Sequence, residues 1–117
     1  LQEMLTSDAI VFSSPLYFWG VNAQLKAVIY RMFSLYTGMH TPNHQSLLAG
    51  KKQALLMTGG GHYDNNAECA FIAFQRMLPY FKTRLAGELF VGNCRRPEDM
   101  GEAVHQQVQT FIQTLEA

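Results

Sequence analysis

Apolar positions in this chain fall into two kinds of run. Three are short and continuous: AIVF at 9–12, QALLMT at 53–58 and RLAGELFV at 84–91. A short apolar run without alternation predicts a strand buried on both faces, as in a parallel sheet covered by helices. Between these runs the apolar residues return every three or four positions, which predicts helices with one buried stripe. Leu25, Val28, Ile29, Met32, Phe33 and Tyr36 form the first stripe. Ala67, Phe71, Phe74 and Leu78 form the second, and Met100, Val104, Val108, Phe111, Ile112 and Leu115 the third. Strands alternating with helices and no hairpin signal predict an α/β sandwich around a parallel sheet.

Turn residues punctuate these elements. Pro15 removes a backbone donor and is expected to stop the first ladder. Asn22 suits a helix N-cap. Asn65 and Glu68 have the spacing of a capping pair. Pro79 is expected to end or kink the second helix. Gly87 interrupts the third strand and makes it the weakest of the three. Pro97, followed by Glu98 and Asp99, suits the first turn of the last helix. Residues 38–50, with Thr41, Pro42, Asn43 and Ser46, read as a surface loop, a candidate to line a site.

Two loops carry the candidate chemistry. After the first strand come Tyr17, Phe18 and Trp19, then Gly20. Loops run over the surface and are usually polar. Three consecutive aromatics there suit stacking on something flat, at the strand end where ligands of open α/β sheets bind. After the second strand come Gly59, Gly60 and Gly61, then His62 and Tyr63. Three glycines allow close backbone approach to a ligand, or a sharp turn.

The chain has 117 residues and is 48% hydrophobic, enough for one domain with a core and too apolar for disorder. No apolar run approaches the roughly 20 residues of a membrane helix, and no signal-peptide pattern is visible. Formal net charge is zero with no basic stripe, which argues against a nucleic-acid partner. Cys69 and Cys94 lack metal-type spacing, so a reduced, cytoplasmic setting is expected. His40, His44 and His62 do not form a Cys/His cluster, and no metal site is expected. No G-x-S-x-G elbow marks a hydrolase.

The segment SSPLYFWGVNAQLKAVIYR, Ser13 to Arg31, resembles the flavin-contacting segment of the flavodoxin-like NAD(P)H-dependent FMN reductases. In particular it resembles the branch with iron–sulfur flavoproteins and multimeric flavodoxin-like quinone reductases. That branch shows a small residue, Ser, Pro, a variable residue, Tyr, an aromatic or small residue and Gly. A helix near an A-Q-L-K-A-F-I-D-R pattern follows. Here these are Ser13, Ser14, Pro15, Tyr17, Phe18 and Gly20, then Ala23, Gln24, Leu25, Lys26, Ala27, Ile29 and Arg31. Tyr30 departs from the family's acidic residue. The resemblance implies a flavodoxin-like three-layer sandwich, with residues 1–117 forming one domain that corresponds to the carboxyl-terminal two-thirds of the family fold. The family's first two strands, with the loop that holds the flavin phosphate, have no counterpart here.

From the resemblance follow a cofactor, FMN, and a substrate, NAD(P)H. A quinone, a free flavin or a similar small molecule would accept the electrons. Ser14, Pro15, Tyr17, Phe18, Trp19 and Gly20 would line one edge of the flavin ring, and Gly59, Gly60, Gly61 and His62 the other. No side chain is expected to act as an obligatory acid or base. Without the phosphate loop, FMN binding in this chain is expected to be weak or absent. The uncovered strand edge is expected to drive association with another copy. The alternative is a remnant without flavin that serves as an interaction module. On that reading the aromatics cap the core or fill an interface, the glycines only turn the chain, and Lys26, Arg31 and His62 are solvated.

Overall fold

Three parallel strands organise the chain, and the computed structural model describes residues 1–117. The order is α1 (Gln2–Thr6), β1 (Ala9–Pro15), α2 (Ala23–Arg31), β2 (Tyr36–Thr37), β3 (Gln45–Ser46), β4 (Lys52–Thr58), α3 (Glu68–Phe81), β5 (Arg84–Val91) and α4 (Glu102–Glu116). The sheet runs β1-β4-β5, with Pro15 level with Thr58 and Thr58 with Val91. The expected α/β class and parallel sheet are found. A small antiparallel ribbon of β2 and β3 is added where the sequence predicted only a loop.

Side chains alternate across a strand, and this sorts the layers. Phe12, Leu55 and Met57 face α3, where Phe12 meets Phe74 edge-on at 5.8 Å. Phe71, Leu78, Phe81, Met32, Leu35 and Leu48 complete that core, and Leu1 and Met4 of the short α1 segment pack against it. On the opposite face α4 lies on β5. A Cβ on Gly87 would fall almost on Thr114 Oγ1 and 3.3 Å from the Phe111 ring. Gly87 is therefore a close approach of helix and strand, and the strand continues past it with a one-residue bulge at Ala86, since Gln53 pairs with Leu85 but Ala54 with Gly87.

Several expectations are corrected. β1 is buried on one face only: Phe12 and Ser14 are buried, whereas Val11 is 43% exposed and Ser13 is exposed. β1 ends at Pro15 as expected, its last pair closed by the Leu16 N–H, which donates to the Thr58 carbonyl at 2.7 Å. The first helix ends at Arg31. Met32–Leu35 tightens into a 3-10 turn that carries Met32 and Leu35 into the core, and Tyr36 enters the ribbon. Pro79 is accommodated in the last turn of α3, which closes at Lys82 in a left-handed cap. Pro97–Asp99 is a separate 3-10 turn, and the last helix begins after Gly101, leaving Met100 exposed. Asn65 does not cap α3. The Glu68 carboxylate instead accepts from the Asn66 N–H at 2.7 Å.

Lysines secure the amino-terminal end of the sheet. Lys51 Nζ donates to the carbonyls of Leu5 and Ser7 after α1, at 3.0 and 2.5 Å. Lys52 Nζ donates to those of Leu115 and Ala117 at the end of α4, at 3.0 and 3.3 Å. Cations at helix carboxyl ends complement the helix dipole. Lys82 Nζ reaches the His44 carbonyl at 2.9 Å, which ties residues 38–50 to this same end. That segment therefore does not line a site at the other end of the sheet.

Gln53 is fully buried and neither of its amide atoms has a partner. A buried unpaired amide costs about 1–3 kcal/mol, and methionine has nearly its shape. Gln53→Met is expected to raise stability by about 1–2 kcal/mol. Urea unfolding checks this: a lower midpoint for the variant would show that the amide is satisfied in solution.

Candidate functional site

Because the strands are parallel and level, three loops leave the same end of the sheet: 16–22 after β1, 59–67 after β4 and 92–96 after β5. The first is a hairpin. Tyr17 and Gly20 exchange both backbone hydrogen bonds, each 3.0 Å, and Phe18 and Trp19 occupy its tip with φ of 46° and 67°. Such a two-residue turn normally holds Asn-Gly, since bulky residues resist positive φ. Here the aromatics take the left-handed positions and Gly20 does not. The three rings stand out from the surface: Phe18 is 93% exposed, Trp19 56% and Tyr17 61%.

Ser14 anchors this hairpin. It is buried, its Oγ accepts the Asn22 N–H at 2.8 Å, and it donates to the Pro15 carbonyl at 2.7 Å. Asn22 in turn caps α2 by accepting the Leu25 N–H at 2.9 Å, as its sequence position predicted. The Ser14 hydroxyl is thus turned inward, and it positions the aromatics from beneath.

Each glycine of the second loop is used differently. None has positive φ. Gly59 is buried, and a Cβ there would meet the Phe90 ring at 2.8 Å. Its N–H donates to Val91 and its carbonyl accepts from Cys94, so both its backbone groups are taken. Gly61 accepts the Asn93 N–H at 3.0 Å. The N–H groups of Gly60, Gly61 and His62 have no partner within the chain and are free to donate. His62 is exposed, with Nδ1 3.4 Å from Asn93 Nδ2. Tyr63 packs against Phe71 and Phe90 at ring distances of 5.6 and 6.0 Å. Lost hydration, with smaller contributions from the carboxylates of Glu88, Glu68 and Asp64, raises its phenol above the ordinary 10.0.

Five of the predicted residues fall in two concavities, and Ser14, Pro15, Gly59, Gly61 and His62 line neither. Tyr17, Phe18, Trp19 and Gly20 close one end of an apolar groove of about 580 Å³ between α2 and α3, floored by Phe12 and Leu55. Lys26 stands at this groove with its ammonium 5.1 Å from the Tyr30 ring. Gly60 lies instead in a polar crevice with Asn93, Arg95, Arg96 and Asp99. The largest concavity is therefore not the one beside the free amides. Both matter: the groove offers apolar surface, and the glycine loop offers hydrogen-bond donors. Arg95 and Asn93 were not anticipated from sequence. The pair Arg95–Arg96, in the loop after a predicted strand, was the available signal.

Replacing Phe18 by Asn and Trp19 by Gly is expected to stabilise the fold by about 1 kcal/mol, because those residues relieve the turn. Urea unfolding reads it, and a less stable double variant would mean that the rings pack rather than strain. Tyr63 gives a pH test. Its folded value lies above its unfolded one, so its contribution is complete below pH of about 10 and is lost as pH rises through the folded value. Tyr63→Phe is expected to remove one absorbance step above pH 10 and that part of the alkaline loss of stability.

A family model described as flavodoxin-like fold matches residues 1–115. An FMN-dependent NADH:quinone oxidoreductase of Jannaschia sp. (strain CCS1) is 30% identical over 98% of this chain. The chain spans 56% of that relative, about half its length. Among solved structures, the Trp repressor binding protein from Bacillus subtilis superposes with a TM-score of 0.73 at 17% identity, over 98% of this chain and 67% of that one. An NADPH-quinone reductase from P. pentosaceus gives 0.69 at 20% identity, over 96% and 69%. These likenesses agree with the level parallel sheet and with loops gathered at its carboxyl end. The chain belongs to the family with the flavodoxin-like fold.

Proposed function

We propose that this chain forms the ring-binding part of an FMN-dependent NAD(P)H oxidoreductase. The carrying observation is the aromatic hairpin with its two left-handed tip residues, which leaves the same carboxyl end of the parallel sheet as a glycine loop with three free backbone N–H groups. A planar heterocycle with oxygen and nitrogen acceptors along its edge matches that pairing. The FMN-dependent relative supports the same reading. The donor set thus fits the flavin ring.

When bound, flavin supplies hydride acceptance from a nicotinamide and electron delivery to a quinone or similar acceptor. The residues of this chain do the positioning. Phe18 and Trp19 offer flat faces at little conformational cost, since the turn already holds them. Gly60, Gly61 and His62 would offer their free N–H groups to the oxygen and nitrogen acceptors of the ring. Ser14 and Asn22 keep the hairpin in place. The apolar groove behind the hairpin suits a hydrophobic acceptor. No side chain needs to move a proton on this reading.

The sheet edge at β1 is open, and Val11 and Ser13 expose the face beside it. Unpaired edges invite pairing, which supports association of this chain with a second copy.

Titration of FMN into the purified chain, followed by flavin fluorescence and with light scattering on the same sample, tests the proposal. Saturable quenching is expected. Replacing Phe18 and Trp19 together by Ala is expected to weaken it by about three- to tenfold for each stacking face lost. A folded chain that leaves millimolar FMN fluorescence unchanged would sink the flavin reading and favour an interaction module.

A further inference from the structure

We propose that the groove between α2 and α3 takes an elongated apolar molecule that carries one anionic group, with Lys26 as its counter-charge. The inference deepens, and rests on, the reading of this groove as the place of the electron acceptor. The side chains it uses belong to the helix walls, and none of them serves the flavin ring.

At about 580 Å³ the groove has the size of a small-molecule site. Ala70, Ala73, Phe74 and Met77 line it from α3, and Ile29 from α2. The two alanines leave room between the helices. Lys26 is the only charged side chain along the groove, and no carboxylate lines it.

Lys26 is also the one lysine without an oxygen partner. Lys51, Lys52 and Lys82 each donate to backbone carbonyls. Lys26 has no ion pair within 4.0 Å, and its ammonium stands 5.1 Å from the centre of the Tyr30 ring. A ring face steadies a cation but leaves its charge uncompensated. No acidic residue of α2 offsets it, and Glu68, in the first turn of α3, already accepts the Asn66 N–H and does not line the groove. Lys26 sits in the first turn of α2, where the helix dipole adds to the same sign.

An apolar trough with one free cation discriminates by charge. A neutral apolar ligand gains burial alone, an anionic one gains an ion pair as well, and a cationic one is repelled. The geometry also sets direction. Lys26 lies toward the hairpin end of the groove, and Met77 lies two turns beyond Ala70, about 10 Å along α3. The anionic group is therefore held near the hairpin, and the apolar body runs toward Met77.

The test is a titration of the whole chain with two dyes that differ by one sulfonate, 8-anilinonaphthalene-1-sulfonate and N-phenyl-1-naphthylamine. Dye fluorescence gives affinity, and ¹⁵N NMR of the Lys26, Ile29, Ala70, Ala73 and Met77 amides gives location. Both dyes are expected to saturate at one per chain and to shift those amides, the sulfonate binding about three- to tenfold more tightly. Added salt is expected to narrow that difference. Lys26→Gln is expected to bring the sulfonate to the level of the neutral dye and to leave the neutral dye unchanged, whereas Lys26→Arg keeps the difference. Ala73→Phe is expected to fill the groove and weaken both dyes. The assignment is overturned if neither dye saturates below millimolar concentration, if the two bind equally, if Lys26→Gln holds the sulfonate as tightly as the parent chain, or if the shifts fall outside the groove. It is equally overturned if FMN displaces the dye, since the groove would then hold the flavin. Dye binding by a chain that leaves FMN fluorescence unchanged would uphold the groove site and sink the flavin reading. FMN binding by a chain that takes neither dye would do the reverse.

Discussion

Parallel pairing is the constraint on which this molecule depends. An antiparallel sheet would send successive loops to opposite ends. Here β1, β4 and β5 run the same way and finish level at Pro15, Thr58 and Val91. Each helix must return the chain to the starting end, so every strand delivers its following loop to the same place. The aromatic hairpin, the glycine loop and the arginine turn are brought together by backbone hydrogen bonding before any side chain contributes. The opposite end is closed in a complementary way. Lys51 and Lys52 satisfy the carbonyls that end α1 and α4 there. Carbonyl-rich helix ends are thus neutralised at one pole, and unsatisfied N–H groups are left at the other.

The pole that keeps its donors is divided by chemistry. One side is apolar, shaped by the rings of the hairpin and the floor of Phe12 and Leu55. The other is polar, built on Gly60, Asn93 and Arg95. The protein accepts local disadvantage on both sides. Phe18 and Trp19 sit in backbone conformations that suit other residues, and Arg95 is left without a counter-charge. Departures of this kind from local preference are expected where a surface is kept for binding.

Much of this was legible in the sequence. The third strand has the predicted bounds, because a run such as RLAGELFV has no helical stripe to compete with it. Asn22 caps α2 as expected, since a short amide before a helical stripe has few other uses. Tyr17, Phe18 and Trp19 were recognisable as misplaced for an ordinary turn. The left-handed tip was not, because local pattern assigns positive φ to Gly20 and only the reciprocal Tyr17–Gly20 bonds move it to Phe18 and Trp19. The early end of α2 was likewise hidden: Met32 and Leu35 keep helical spacing, but reaching the core requires a tighter turn. The β2–β3 ribbon, two residues on each side, leaves too little pattern to read. The inward role of Ser14 depends on the path of the hairpin that brings Asn22 back to it, and the position of Arg95 against Gly60 on a contact between segments far apart in the chain.

The triple glycine has a consequence opposite to its appearance. Such a tract suggests a mobile flap. Here Gly59 lies under the Phe90 ring, Gly60 under Arg95 and Gly61 against Asn66, and two of its carbonyls are held by the next loop. Phe90 in turn meets Phe71 and Tyr63, which joins the tract to the first turns of α3. The glycines therefore remove bulk rather than stiffness. A partner arriving at this surface meets amides whose directions are already set, so little ordering entropy remains to oppose its capture.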